Sequence, residues 1–171
     1  MQPEILQTLP MPASVEAELA TTYRVHRLHD APDRGVVLRE HGSRVRALVT
    51  GEVTGASRAM LDTLPALEIV AMNGVGLDAV DMDRARDRGV RVTVTPDVLT
   101  DDVADMALAL LLAASRRVCL NDRYVREGRW PGGSAPLGRR VTGSRVGILG
   151  MGRVGRAIAH RAEAFDMEVS Y

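Results

Sequence analysis

The chain has 171 residues, 46% hydrophobic and 26% charged, enough for one large domain or two small ones around a real core. Its formal net charge is zero, so no electrostatic case exists for nucleic acid or an anionic membrane as partner. All 22 basic residues are arginine, which excludes a Schiff-base lysine, a lysine general base and a phosphate-binding lysine.

Short runs of β-branched and aliphatic residues alternate with helix-like stretches from the start. Residues 4–9, 23–28, 45–50, 67–72 and 90–95 read as strands, and residues 14–20, 35–41, 57–64 and 78–88 as helices. The second helix is the poorest former, because Gly35 and two valines favour other conformations. Strand and helix repeated in this way imply a parallel sheet covered on both faces and joined by right-handed crossovers. The expected architecture is α/β, with a flavodoxin-like domain over residues 1–98.

TPDVLTDDVADMALALLLAASRR follows and reads as a long helix. Pro96 disfavours helix just before it, and Thr100 is placed to cap its first turn. Asp101, Asp102 and Asp105 lie near the positive end of its dipole, Arg116 and Arg117 at the negative end. Val103, Met106, Ala107, Leu110, Leu111 and Ala114 form one apolar stripe, and Leu108 and Leu112 make the opposite side apolar too. A helix apolar nearly all round is expected to be buried all round. It reads as the connection between two domains and, over residues 100–118, as part of a homodimer interface.

Residues 121–129 read as a short polar helix, and WPGGSAPLGRR as a loop broken by Pro131, Gly132, Gly133 and Pro136. Trp130 in that loop has two readings, local packing or cover for a pocket mouth. Cys119 is the only cysteine, which excludes an internal disulfide and a thiolate cluster; it is expected to be a small buried apolar residue. The N-terminus has neither the basic start nor the apolar centre of a secretory signal. The longest apolar run, residues 106–114, falls far short of the roughly 20 that a membrane span needs. A cytoplasmic protein with no membrane partner is the expectation.

SRVGILGMGRVGRAIAHRAEAFDMEVSY carries the clearest chemistry. Gly150-Met151-Gly152-Arg153-Val154-Gly155 follows a strand built on Val146, Ile148 and Leu149. It precedes a helix marked by Val154, Ile158, Ala162 and Phe165, and a second strand begins at Glu168. A glycine hexamer in this βαβ setting is the dinucleotide-binding fingerprint. Gly150 is expected to permit the tight turn, Gly152 to leave room for a pyrophosphate, and Gly155 to let the helix pack closely. Free amides at the helix N-terminus would hold the phosphates, with Arg153 either touching them or facing solvent. The residue that selects NAD from NADP normally lies about 20 residues beyond the glycines. The chain ends at Tyr171, 16 residues past Gly155, before that point is reached.

Together these pieces resemble the D-isomer-specific 2-hydroxyacid dehydrogenases, in particular the glyoxylate and hydroxypyruvate reductase branch. The resemblance runs through NGVGLDAVDMDRARDRGVRVTVTPDVLTDDVADMALALLLAASRR, then REGRW, then the fingerprint with AEAFDMEVSY. It implies a flavodoxin-like substrate-binding domain over residues 1–98. The interdomain helix and the start of a Rossmann nucleotide-binding domain would then occupy residues 99–171. It implies a homodimer, NADP or NAD as cofactor with the branch pointing to NADP, and a small 2-oxo or 2-hydroxy acid as substrate. By the same resemblance the Val75 and Gly76 amides receive the substrate carboxylate, and Thr50, Gly51 and Leu99 line the same cleft. The residues themselves allow this: a glycine-rich turn after a strand can form an anion nest, and can equally be an ordinary turn. Where many relatives carry a threonine near the nicotinamide, this chain has Val103, which leaves an apolar contact.

The family's reaction is reversible hydride transfer between the nicotinamide and C2 of the acid, served by a histidine, a glutamate and an arginine. In relatives all three lie later in the nucleotide domain than the segment matching this chain, so no catalytic residue is assigned here. His26, His29, His41 and His160 read as surface or packing residues, and His26-x-x-His29 lacks further metal ligands. The 171 residues alone are therefore expected to be inactive. The alternative reading is a non-catalytic carboxylate-binding or dimerisation module, or an inactive fragment.

Overall fold

The computed structural model describes residues 2–171 and divides into two compact units, one ending at Pro96 and one spanning Asp97–Tyr171. In the first, β1 (Glu4–Gln7), α1 (Ala13–Thr22), β2 (Arg24–Arg27) and α2 (Arg34–His41) lead into β3 (Val45–Gly51). They are followed by α3 (Arg58–Thr63), β4 (Ile69–Asn73), α4 (Met82–Asp87) and β5 (Arg91–Thr93). All five strands are parallel, in the order β2-β1-β3-β4-β5, which is the flavodoxin-like arrangement.

The register aligns Leu6 of β1 with Leu48 of β3, Leu48 with Val70 of β4, and Val70 with Val92 of β5. This row, with Val45, Leu61, Leu64 and Val90, makes the core on the face that α2, α3 and α4 cover. The other face, carrying Ile5, Ala47, Val49, Ile69 and Ala71, lines an open groove together with Leu19 and Tyr23 at the end of α1. Helices thus cover the two faces unequally.

Side-chain caps set the starts of α2, α3 and α4. Asp33 accepts hydrogen bonds from the amides of Gly35 and Val36, which offsets the poor intrinsic propensity of α2. α4 begins at Met82, later than its sequence pattern suggests, because Asp81 caps it through the Arg84 amide. Residues just before it are drawn off into a bridge between Ala56 and Val80.

The second unit holds α5 (Thr100–Ser115), α6 (Val118–Arg126), β6 (Arg145–Gly147), α7 (Arg153–Glu163) and β7 (Glu168–Ser170). β6 and β7 pair in parallel across the α7 crossover, giving the βαβ unit expected of a Rossmann start. β6 ends at Gly147, however, so Ile148 and Leu149 fall outside the strand, and Leu149 is exposed where the sequence pattern places a buried strand residue. Val141, Ala162 and Met167 form its core with Leu111, Leu112, Val146, Phe165 and Val169. Arg161 of α7 bonds Asp101 and Asp105, so these acids tie α5 to α7 as well as facing the dipole.

Three expectations are corrected here. Thr100 does not cap α5; the helix starts one residue earlier than that role allows, with Leu99 at the cap position and no side-chain cap bond. Nor is α5 buried all round: Ala104 and Leu108 are buried, but Met106 is 59% and Leu110 63% exposed, because the packing against α7 covers one side only. Cys119 is exposed, since α6 buries none of its residues. Trp130, in a short 3-10 turn at Trp130–Gly132, is exposed as well. Among the described residues no helix is long and apolar enough to cross a membrane.

A cluster at the start of the first unit was not legible in the sequence. His26 Nε2 lies 2.8 Å from Glu4, and the His26 and His41 rings stack with centroids 4.0 Å apart. Arg44 donates to Glu4 at 2.8 Å and to His41 Nδ1 at 3.0 Å. Ligand atoms of Glu4, His26 and His41 lie within 4.8 Å of one another, but lone pairs of Glu4 and His41 that a metal would need already face the Arg44 guanidinium. The Arg44 hydrogen bond, assisted by His26, holds the Glu4 carboxyl below its ordinary value of 4.5. Burial, with repulsion from His26 and Arg44, pushes His41 below 6.5.

Both shifts act in the same direction. Between the ordinary and the depressed value the unfolded chain binds more protons, so stability falls as pH falls. The loss starts below pH 6.5 through His41 and deepens below pH 4.5 through Glu4. Urea unfolding at a series of pH values should show both stages, and His41→Asn should remove the upper one alone.

Candidate functional site

In the first unit the relevant turns sit at neighbouring strand ends. Gly51 at the end of β3 is in register with Asn73 at the end of β4, so residues 52–55 and 74–76 emerge side by side. Carboxyl ends of parallel strands are where α/β sheets bind ligands. Gly74 has φ +143, a backbone region that only glycine adopts readily, and its amide donates to Thr95 Oγ1 at 3.1 Å. The chain is thereby turned so that the amides of Val75 and Gly76 point at one place. A carboxylate oxygen already lies there: Glu52 Oε1 accepts from both, each at 2.7 Å. These two bonds, that of Gly76 the larger, hold the Glu52 carboxyl below its ordinary value.

Thr50 is placed differently from a ligand-facing residue. Its side chain is fully buried, accepting from Thr8 at 2.8 Å and donating to the Gly55 carbonyl at 2.8 Å. Gly51 is buried too, and its carbonyl accepts from the Gly55 amide at 2.7 Å. Thr50 and Gly51 therefore pin the loop that carries Glu52, while Val75 and Gly76 present their amides at the surface.

In the second unit the fingerprint glycines differ in their surroundings. Gly150 has φ +97 and turns the chain off β6. A Cβ on Gly155 would lie 2.1 Å from the Gly150 carbonyl oxygen and 3.4 Å from Ile148, so only glycine lets α7 come this close to the turn. Gly152 is the α7 N-cap, without a side-chain cap bond, and space around it is open. The first helical bond runs from the Arg156 amide to the Gly152 carbonyl, which leaves the amides of Arg153, Val154 and Gly155 without helical partners. Met151 and Val154 are half-buried beside them.

That combination of open space and unpaired amides at a helix N-terminus fits a pyrophosphate. Arg153 is paired with Asp97 at 3.0 Å, both side chains being well exposed. Leu99 and Val103 belong to this unit and line one shallow apolar patch with Met106 and Leu110. The sequence motifs thus fall into groupings within each unit: Val75 with Gly76 in the first, the glycine turn and the Leu99–Val103 patch in the second.

Residues 108–171 match the family described as D-isomer specific 2-hydroxyacid dehydrogenase, NAD binding domain. Over 167 residues the chain is 44% identical to glyoxylate/hydroxypyruvate reductase A of Arabidopsis thaliana, an alignment covering 98% of this chain and 53% of that protein. It is 41% identical over 170 residues to a 2-ketogluconate reductase of Gluconobacter oxydans, covering 99% and 54%. Among solved structures, a 2-hydroxyacid dehydrogenase from Ketogulonicigenium vulgare superposes with TM-score 0.91 at 47% identity, over 100% of this chain and 54% of that one. An NADPH-dependent glyoxylate/hydroxypyruvate reductase from Sinorhizobium meliloti, in complex with NADP and malonate, gives TM-score 0.89 at 37% identity, over 100% and 53%.

The chain belongs to the D-isomer-specific 2-hydroxyacid dehydrogenase family. Within it, the match is to the glyoxylate/hydroxypyruvate reductase branch. It spans about half the length, 53%, of the first of these curated relatives.

Proposed function

We propose that these residues supply the carboxylate-binding turn and the dinucleotide-phosphate turn of an NAD(P)-dependent reductase of small 2-oxo acids such as glyoxylate or hydroxypyruvate. The observation that carries this reading is the pair of Val75 and Gly76 amides converging on one carboxylate oxygen at 2.7 Å. A turn that holds the carboxylate of a side chain in this way has the chemistry to hold that of a 2-oxo acid. The first unit is then the substrate-binding domain and the second the beginning of the nucleotide-binding domain. When bound, NADPH or NADH supplies the hydride. The α7 amides orient its phosphates, Gly152 leaves them room, and Val103 offers an apolar surface. NADP is favoured over NAD by the Sinorhizobium relative, which was solved with it.

Hydride transfer to a carbonyl also needs a proton donor at the new hydroxyl. His26 and His41 are held by Glu4 and Arg44, His29 lies against Asp30 at 3.4 Å, and His160 is an exposed residue of α7 near Glu163. None of the four stands at the carboxylate turn or the glycine turn. The 171-residue chain by itself is accordingly proposed to bind both ligands without turnover, which makes it a carboxylate- and dinucleotide-binding module when isolated. The exposed face of Leu99, Val103, Met106 and Leu110 supports a homodimer through residues 100–118, and sedimentation of the same preparation reads its mass.

The test is a hydride-transfer assay on the purified chain, following NADPH and NADH absorbance with glyoxylate and with hydroxypyruvate, beside calorimetric titration with NADPH. Dinucleotide binding without turnover is the expected result. Turnover would overturn the exclusion of the four histidines, and no binding would overturn the role given to the glycine turn.

A further inference from the structure

Glu52 has no part in the function proposed above, yet its carboxylate lies where that function puts the substrate's. Both of its hydrogen bonds go to the Val75 and Gly76 amides through a single oxygen. Among the described residues no cation pairs with it, so this turn alone holds an otherwise exposed side chain. The neighbouring glycines are shaped around it: a Cβ on Gly74 would lie 2.6 Å from Glu52 Cγ, and one on Gly76 would lie 3.3 Å from Oε1. Its loop is fixed from beneath by the buried Thr8, Thr50 and Gly55 bonds, so the side chain can leave without moving the backbone.

We propose that Glu52 is an intramolecular competitor for the carboxylate turn, so that a ligand carboxylate binds Val75 and Gly76 only by displacing it. The displaced side chain stays tethered beside the turn by the fixed end of β3. A second negative charge on the ligand would meet it there, so Glu52 selects for monoanionic 2-oxo acids over dianionic ones. This rests on the reading of the turn as the substrate carboxylate site. A binding site that is open only part of the time has its apparent affinity reduced by the open fraction. An occupant that fills the turn about 90% of the time therefore weakens a competitor roughly tenfold.

The experiment uses the isotope-labelled chain, with oxamate as a monoanionic probe and malonate as a dianionic one, read by nuclear magnetic resonance. In the unaltered protein, oxamate should shift the Val75 and Gly76 amides and return the Glu52 carboxyl resonance to that of a free glutamate side chain. Glu52→Ala should bind oxamate roughly tenfold more tightly and gain still more for malonate, with Glu52→Gln intermediate. The variants' amide spectra report directly whether they fold, and the measurement on Glu52 itself needs no variant. Oxamate shifts at Val75 and Gly76 with no movement of Glu52, or with unchanged or weaker binding in Glu52→Ala, would overturn the competitor and leave the carboxylate site standing. Equal gains for the two probes would overturn the charge selection. No shift at Val75 and Gly76 in any of the three proteins would overturn the carboxylate site itself.

Discussion

Gly155→Ala is expected to weaken NADPH binding by roughly 10- to 100-fold, the cost of about one lost hydrogen bond to a charged group. The added Cβ would sit 2.1 Å from the Gly150 carbonyl oxygen, and because the atom it meets is backbone, no flexible side chain can yield. Either α7 lifts away or the turn at Gly150 opens, and both move the unpaired amides of Arg153 and Val154. Overpacking of this kind also costs about 1–3 kcal/mol of stability. Gly152→Ala is the informative companion. Its φ of −73 suits any residue and nothing lies within 4 Å of a Cβ there, so the fold should keep its melting temperature. The methyl group would nevertheless fill the space proposed for the phosphates, so binding should fall without loss of stability. Calorimetry with NADPH and thermal unfolding by circular dichroism separate the two variants. A Gly155→Ala protein that binds normally would remove the glycine turn from the cofactor site.

Leu48→Ala should destabilise the first unit by about 2–5 kcal/mol, the usual cost of deleting a fully buried leucine side chain. Leu48 is 0% exposed and stands in the middle strand, in register with Leu6 on one side and Val70 on the other. No neighbour can close the cavity without giving up its own place in the row. Since domains of this size are stable by only about 5–15 kcal/mol, the loss is a large part of the total. Urea unfolding measures it. A change below about 1 kcal/mol would mean that the core closes around the gap.

The elements readable from sequence are those whose signals are local. Runs such as Ile69–Asn73 announce strands by composition, and the glycines at 150, 152 and 155 announce a turn by spacing. Right-handed crossovers between five parallel strands point to a doubly wound sheet, of which the order β2-β1-β3-β4-β5 is one arrangement. Contacts between distant segments are what the sequence withholds. Glu52 meets Val75 and Gly76 only because β3 and β4 pair in the register that aligns Gly51 with Asn73. Glu4, His26, His41 and Arg44 likewise come from three separate elements and a turn. Periodicity also failed on α5, where an apolar residue on every side told nothing of which sides a partner covers. A threonine at the right place does not fix a cap either, when the helix begins one residue sooner.

The Arg161 bonds to Asp101 and Asp105 clamp α5 to α7. The unpaired amides of Arg153 and Val154 sit at the N-terminal end of α7, and Arg161, near the other end, bonds the first two turns of α5. On the same early turns of α5, facing outward, are Leu99, Val103 and Met106. Two ion pairs thus join the helix that bears the unpaired amides to the helix that bears the apolar face, so a substitution at Arg161 would loosen both together.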